Sequence, residues 1–102
     1  MIRHLVLFNC KESATEEQVA AVVTSAQQQL TQIPGVRNLA ISRAIDTHSQ
    51  APYRWALTME FADEASLAEY IVHPLHQEFR KIFFPVREIV QAMDFVSLGA
   101  QK

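Results

Sequence analysis

Apolar and polar positions along this chain recur with two different periods, and the switches between them mark its elements. From Ile2 to Asn9, branched and aromatic residues dominate over a length too short for a convincing helix, which predicts a strand. Ile2, His4, Val6 and Phe8 share one face of it, and Arg3, Leu5 and Leu7 share the other. Both faces turn apolar after the first residues, which implies a sheet covered on two sides. Thr15-Glu16-Glu17-Gln18 has the form of a capping box. Val19, Val22, Ala26, Leu30 and Ile33 then recur at spacings of three and four, giving a helix with one buried stripe that Pro34-Gly35 ends. A weaker strand over 36–45 is in phase at Leu39, Ile41 and Ile45 but interrupted by Arg43, so an edge position or a bulge is expected.

Asp46 to Pro52 reads as a polar loop carrying a solvent-facing His48. In the clearest strand of the chain, Tyr53, Trp55, Leu57, Met59 and Phe61 alternate with Arg54, Ala56, Thr58 and Glu60, and the odd face points at the helices. Asp63 or a neighbour caps a short helix through Leu67 and Tyr70. Pro74 stops that helix near His73 and starts a second one carrying Phe79, Ile82, Phe83 and Val86. A last strand runs from Val90 to Leu98, with Val90, Ala92, Asp94 and Val96 on one face. The order of elements predicts an α+β fold, the ferredoxin-like βαββαβ arrangement, with residues 1–102 forming a single domain. Such a fold leaves one sheet face bare, here Leu5, Leu7, Ala56, Met93 and Phe95. Burying that face predicts a homodimer closed as a barrel with helices outside.

Composition narrows the partners. The 102 residues suffice for one core, and 49% of them are apolar. Nine basic residues against eleven acidic ones give a formal charge of −2, so nucleic acid is an unexpected partner. Cys10 is the single cysteine, which excludes an internal disulfide and fits a reducing compartment. No apolar run reaches membrane-spanning length and the N-terminus lacks a cleavage signal, so a soluble, cytoplasmic protein is expected.

Candidate chemistry gathers at Tyr70-Ile71-Val72-His73-Pro74-Leu75-His76, where a phenol and two imidazoles surround one proline. His76 falls in the first turn of the second helix, where the helix dipole favours the neutral ring that a proton acceptor needs. Asp94 is a carboxylate on an otherwise apolar strand face, which calls for a buried partner. His73 and His76 with Asp94 and His4 supply enough ligands for a metal, but two histidines one helix turn apart are common without one. No metal or other cofactor is inferred.

His4 followed by Leu-Val-Leu-Phe, Ile33-Pro34-Gly35-Val36 after a long helix, Phe61-Ala-Asp-Glu ahead of the Tyr70 to His76 segment, and a terminal Met93-Asp94-Phe95 together resemble the stress-responsive α/β-barrel (Dabb) family. The resemblance spans nearly the whole chain and implies a dimeric α+β barrel. The family's clearest enzyme is a plant polyketide cyclase, olivetolic acid cyclase, which closes a ring by aldol-type chemistry without a cofactor. Matching it residue by residue makes His76 the general base, Asp94 the group that orients it, and Tyr70 the donor to a carbonyl. His4 and His73 match positions lining or bracing the same pocket, and Leu57 belongs with them. The chain departs from the cyclase at Val23 and Ala26, where larger aromatic residues stand, and at Trp55, which replaces a histidine. A different substrate is therefore implied.

Two functions remain open on the sequence. One is a cofactor-free acid–base enzyme acting on a small, largely apolar carbonyl or phenolic compound, and the other a noncatalytic stress-associated or ligand-binding dimer. In the second, His76 and Asp94 only tie the second helix to the last strand, Tyr70 packs by its ring and His73 caps.

Overall fold

A run of β-branched and aromatic residues needs a partner strand on each side, and the first strand of this chain has both. The computed structural model describes residues 1–45 and 51–98, so His48 lies outside the described residues. Its elements are β1 (Ile2–Cys10), α1 (Glu16–Gln28), β2 (Arg37–Arg43), β3 (Trp55–Phe61), α2 (Glu64–Val72), α3 (Pro74–Phe83) and β4 (Arg87–Val96), with a short 3-10 turn at Leu30–Gln32. The strands form one antiparallel sheet in the order β2-β3-β1-β4. This is the ferredoxin-like topology that the alternation of periods predicts.

Local signals in the sequence set most of the boundaries. Thr15 accepts from the Gln18 amide and the Gln18 side chain reaches back to the Thr15 amide, completing the capping box of α1. Gly35 takes φ 93°, a left-handed conformation that costs other residues energy, and so turns the chain out of the 3-10 segment. Asp63 caps α2 by accepting from the Ser66 amide at 2.9 Å. β2 is an edge strand whose register shifts between Arg37 and Ala40, where Asn38 adopts φ 51° and donates to Glu60 at 2.8 Å. Both explanations for its irregular pattern therefore hold. β4 begins at Arg87, three residues before the apolar run suggests, because Arg87 still pairs with Cys10 across a bulge.

The core lies between the sheet and the helices. Phe8, Leu57, Met59 and Phe61 from the sheet meet Val22, Ala26, Tyr70, Phe79 and Phe83 from the helices, all buried. At about 25 cal/mol per Å² of apolar surface, this interior supplies the main drive to fold. The opposite sheet face has no helix on it. Register places Leu5 beside Met93 and Leu7 beside Ala56 there, and Met93 and Phe95 remain 51% and 46% exposed. No described helix is long and apolar enough to cross a membrane.

Candidate functional site

The His73-Pro74 break builds the site. In an unbroken helix the Ile71 carbonyl would accept from the Leu75 amide. Here Pro74 opens α3, His73 is its N-cap, and the Leu75 amide donates instead to His73 Nδ1 at 3.1 Å. The Ile71 carbonyl is freed and takes the ring of His76, Nδ1 to O, at 2.9 Å. A carbonyl can only accept, so Nδ1 carries the proton and the neutral ring presents Nε2 as an acceptor. Burial pushes the His76 imidazole below its ordinary value, the Ile71 carbonyl draws it partly back, and the charges of Arg80 and His4 lower it again. The ring is therefore held neutral at pH 7, in the tautomer that a base requires.

Tyr70, six residues earlier on α2, is 2% exposed and packs against His76 with ring centroids 4.6 Å apart. Burial raises its phenol above the ordinary tyrosine range, so the hydroxyl keeps its proton and acts as a donor. That hydroxyl has no hydrogen-bond partner among the described residues, where Arg87 Nε is the buried side-chain polar atom that lacks one. The Tyr70 hydroxyl must therefore open onto accessible space.

That space is a cavity of about 270 Å³ between the sheet and α2 and α3. His4, Val6, Leu57, Tyr70, His76 and Phe79 line it, with Arg80 and Phe84 on the α3 side and Val90 and Ala92 from β4. It falls just below the usual size range of ligand pockets but shares their character, apolar walls with a few convergent polar groups.

The expected tie between Asp94 and His76 is corrected by the register. β1 and β4 place His4 directly opposite Asp94, and His4 Nδ1 lies 2.6 Å from the Asp94 carboxylate. Cross-strand neighbours meet first, and the Ile71 carbonyl already occupies the His76 nitrogen that Asp94 was expected to hold. Asp94 thus orients His4, whose ring stands edge-on to Tyr70 at 5.7 Å. His4 and Leu57 line the cavity wall, whereas His73 stands outside it and caps α3. Trp55 and Val23 do not reach this cavity: Trp55 stacks on Phe8, and both residues face a separate open groove beside α1. No group of three or more His, Cys, Asp or Glu side chains among the described residues is placed to hold a metal ion. Arg80, Phe84 and the Ile71 carbonyl were not singled out from the sequence. Arg80 stands four residues after His76, on the same helix face, and that spacing could have pointed to it.

The sequence profile of the stress responsive A/B barrel domain matches residues 2–97. The chain belongs to that family. Among curated proteins no sequence match was found. A Dabb family protein with a ferredoxin-like fold from Mesorhizobium loti is 31% identical, with 96% of this chain and 97% of that one covered and a TM-score of 0.83. A dimeric ferredoxin-like protein of unknown function from Thermobifida fusca is 26% identical over 94% of this chain and 90% of its own, also with a TM-score of 0.83. Hydroxynitrile lyase from Passiflora edulis shares the fold at TM-score 0.86 and 17% identity, over 98% of this chain and 96% of that one. Within the stress-responsive barrel fold, the His4, Tyr70 and His76 cluster therefore sits between helices and sheet, on the side away from the bare face.

Proposed function

We propose that this stress-responsive barrel protein is a homodimer that carries out cofactor-free acid–base chemistry, of cyclase, isomerase or lyase type, on a small, largely apolar carbonyl or phenolic compound. The observation that carries the reading is that a neutral imidazole and an unpartnered phenol open onto one apolar cavity. His76 Nε2 takes a proton from a carbon or oxygen of the substrate. The Tyr70 hydroxyl donates to the oxygen on which negative charge develops, against largely apolar walls, where such a bond is worth more than in bulk solution. His4, with its tautomer fixed by Asp94, presents a second ring nitrogen to the same space for returning or relaying a proton.

Dimerisation is supported by the exposed Met93 and Phe95 on the uncovered sheet face and by the dimeric assembly of the Thermobifida fusca protein. A hollow of about 450 Å³ lined by Arg3, Leu5, Thr58, Glu60 and Phe95 lies on that face, and a second protomer would fill it.

The test is exchange of carbon-bound protons. The dimer is incubated in heavy water with a panel of small aryl and alkyl ketones, and loss of the α-proton signal is followed by NMR. General-base catalysis contributes about 10²–10⁴-fold, so at least one ketone is expected to exchange far faster with the wild type than with His76→Ala. Ketones that bind in the cavity but exchange at equal rates with both proteins would leave a noncatalytic binding dimer as the function.

A further inference from the structure

Charge gathers at the rim of the cavity with nothing among the described residues to balance it. Arg80, a lining residue on α3, places its guanidinium carbon 4.8 Å from the centroid of the Phe84 ring. Arg87, the first residue of β4, brings its own to 4.1 Å from the same ring. Each contact is favourable, but it draws two like charges to one aromatic side chain, and a cation on a ring face keeps its N–H groups available to an acceptor. No carboxylate answers them: neither guanidinium has an ion pair or hydrogen bond among the described residues. Glu78, the acid on the same helix, is engaged by Lys81 at 2.9 Å. The Nε of Arg87 is sealed from solvent with no acceptor among the described residues, but its two terminal nitrogens are not buried without a partner, so they are the groups left open to an acceptor. Phe84 itself is 42% exposed and lines the cavity, so the two guanidiniums mark where an occupant would meet water.

We propose that Arg80 and Arg87 form an anion subsite at the mouth of the cavity, so that its ligand is a small amphiphile. The apolar body would lie against Val6, Leu57 and Phe79, and an anionic oxygen head, a carboxylate or a phosphate monoester, would meet the guanidiniums. This rests on the cavity being the working site and adds the chemical class of what enters it. An uncharged apolar ligand has no use for two unbalanced cations at its exit. An anion beside Arg80 would also offset the positive charge that now bears on His76, coupling occupancy of the mouth to the readiness of the base.

The experiment compares three probes with one apolar body, hexanoate, hexyl phosphate and 1-hexanol, titrated into the ¹⁵N-labelled protein and followed by amide shifts of the lining residues. At least one anion is expected to bind about tenfold more tightly than 1-hexanol, with the advantage shrinking as salt is raised; the tighter of the two names the head group. In the double variant Arg80→Gln, Arg87→Gln the advantage should vanish while the affinity for 1-hexanol holds. Arg80→Lys with Arg87→Lys, which keeps the charges, should retain most of it. Equal binding of all three probes to the wild type overturns the anion subsite and leaves the cavity reading intact. Absence of any response from the lining residues overturns both.

Discussion

Replacing Asp94 tests the pairing that the register creates. In the native protein the 2.6 Å contact joins a His4 side chain that is 11% exposed to a carboxylate that is 44% exposed. A hydrogen bond to a charged group in a closed setting contributes about 1.5–3 kcal/mol, and an exposed ion pair about 0.2–1 kcal/mol. With the carboxylate nearly half in water, Asp94→Ala should cost about 1 kcal/mol, much of it because the His4 N–H is left without an acceptor. In a domain of this size that lowers Tm by about 4–8 °C. Urea denaturation at one fixed protomer concentration, for wild type, Asp94→Ala, His4→Ala and the double variant, isolates the pairwise part, expected at about 1 kcal/mol. A second measurement assigns the partner directly. In long-range ¹H–¹⁵N spectra of the imidazoles, Asp94→Asn should move the His4 ring nitrogens and leave those of His76, held by main chain, where they are. A coupling energy within error of zero, or a response at His76 in place of His4, would refute the pairing.

Other outcomes are equally open to measurement. His76 is held neutral, so between its unfolded value of about 6.5 and its lower folded value the unfolded chain binds a proton that the folded chain does not. This part of the stability is complete above pH 6.5 and declines as acid is added; urea midpoints taken from pH 7.5 to 5 should fall less steeply in His76→Gln than in wild type, and identical slopes would count against the burial argument. Gly35→Ala must hold a side chain at φ 93° with its Cβ 3.3 Å from that of Ser66, a loss of about 1–2 kcal/mol that a denaturation curve would register. Charges placed on the uncovered sheet, Met93→Glu with Phe95→Glu, should convert a dimer into an 11.6 kDa protomer in sedimentation velocity; an unchanged dimer would move the interface elsewhere.

Much of the architecture can be read from local rules, because local rules dictate it. The Thr15 box, the Asp63 cap, the Gly35 turn and the Pro74 start each satisfy backbone groups within a few residues, and the alternation along 53–61 fixes which face meets the helices. That His76 and Tyr70 line one cavity follows from six residues of spacing across a proline. What pattern could not supply was pairing at long range. Asp94 is ninety residues from His4, and only the β1–β4 register decides that its partner is that ring and not the helix-borne one. The same holds for Arg87, whose place over Phe84 depends on how β4 leaves α3. Trp55 faces another groove, with Val23 of α1 beside it, because side chains on one strand face spread along the strand's length, and sharing a face does not mean sharing a hollow.

The two imidazoles are tied by different kinds of atom, and this sets how each withstands genetic drift. A main-chain oxygen is present whatever residue occupies position 71, so point mutation there cannot erase the restraint on the first ring; only rebuilding the helix interruption could. The second ring depends on a side chain that one codon change deletes. Across descendants of this sequence, orientation at position 76 should prove robust, and orientation at position 4 should be the feature through which new chemistries are tried.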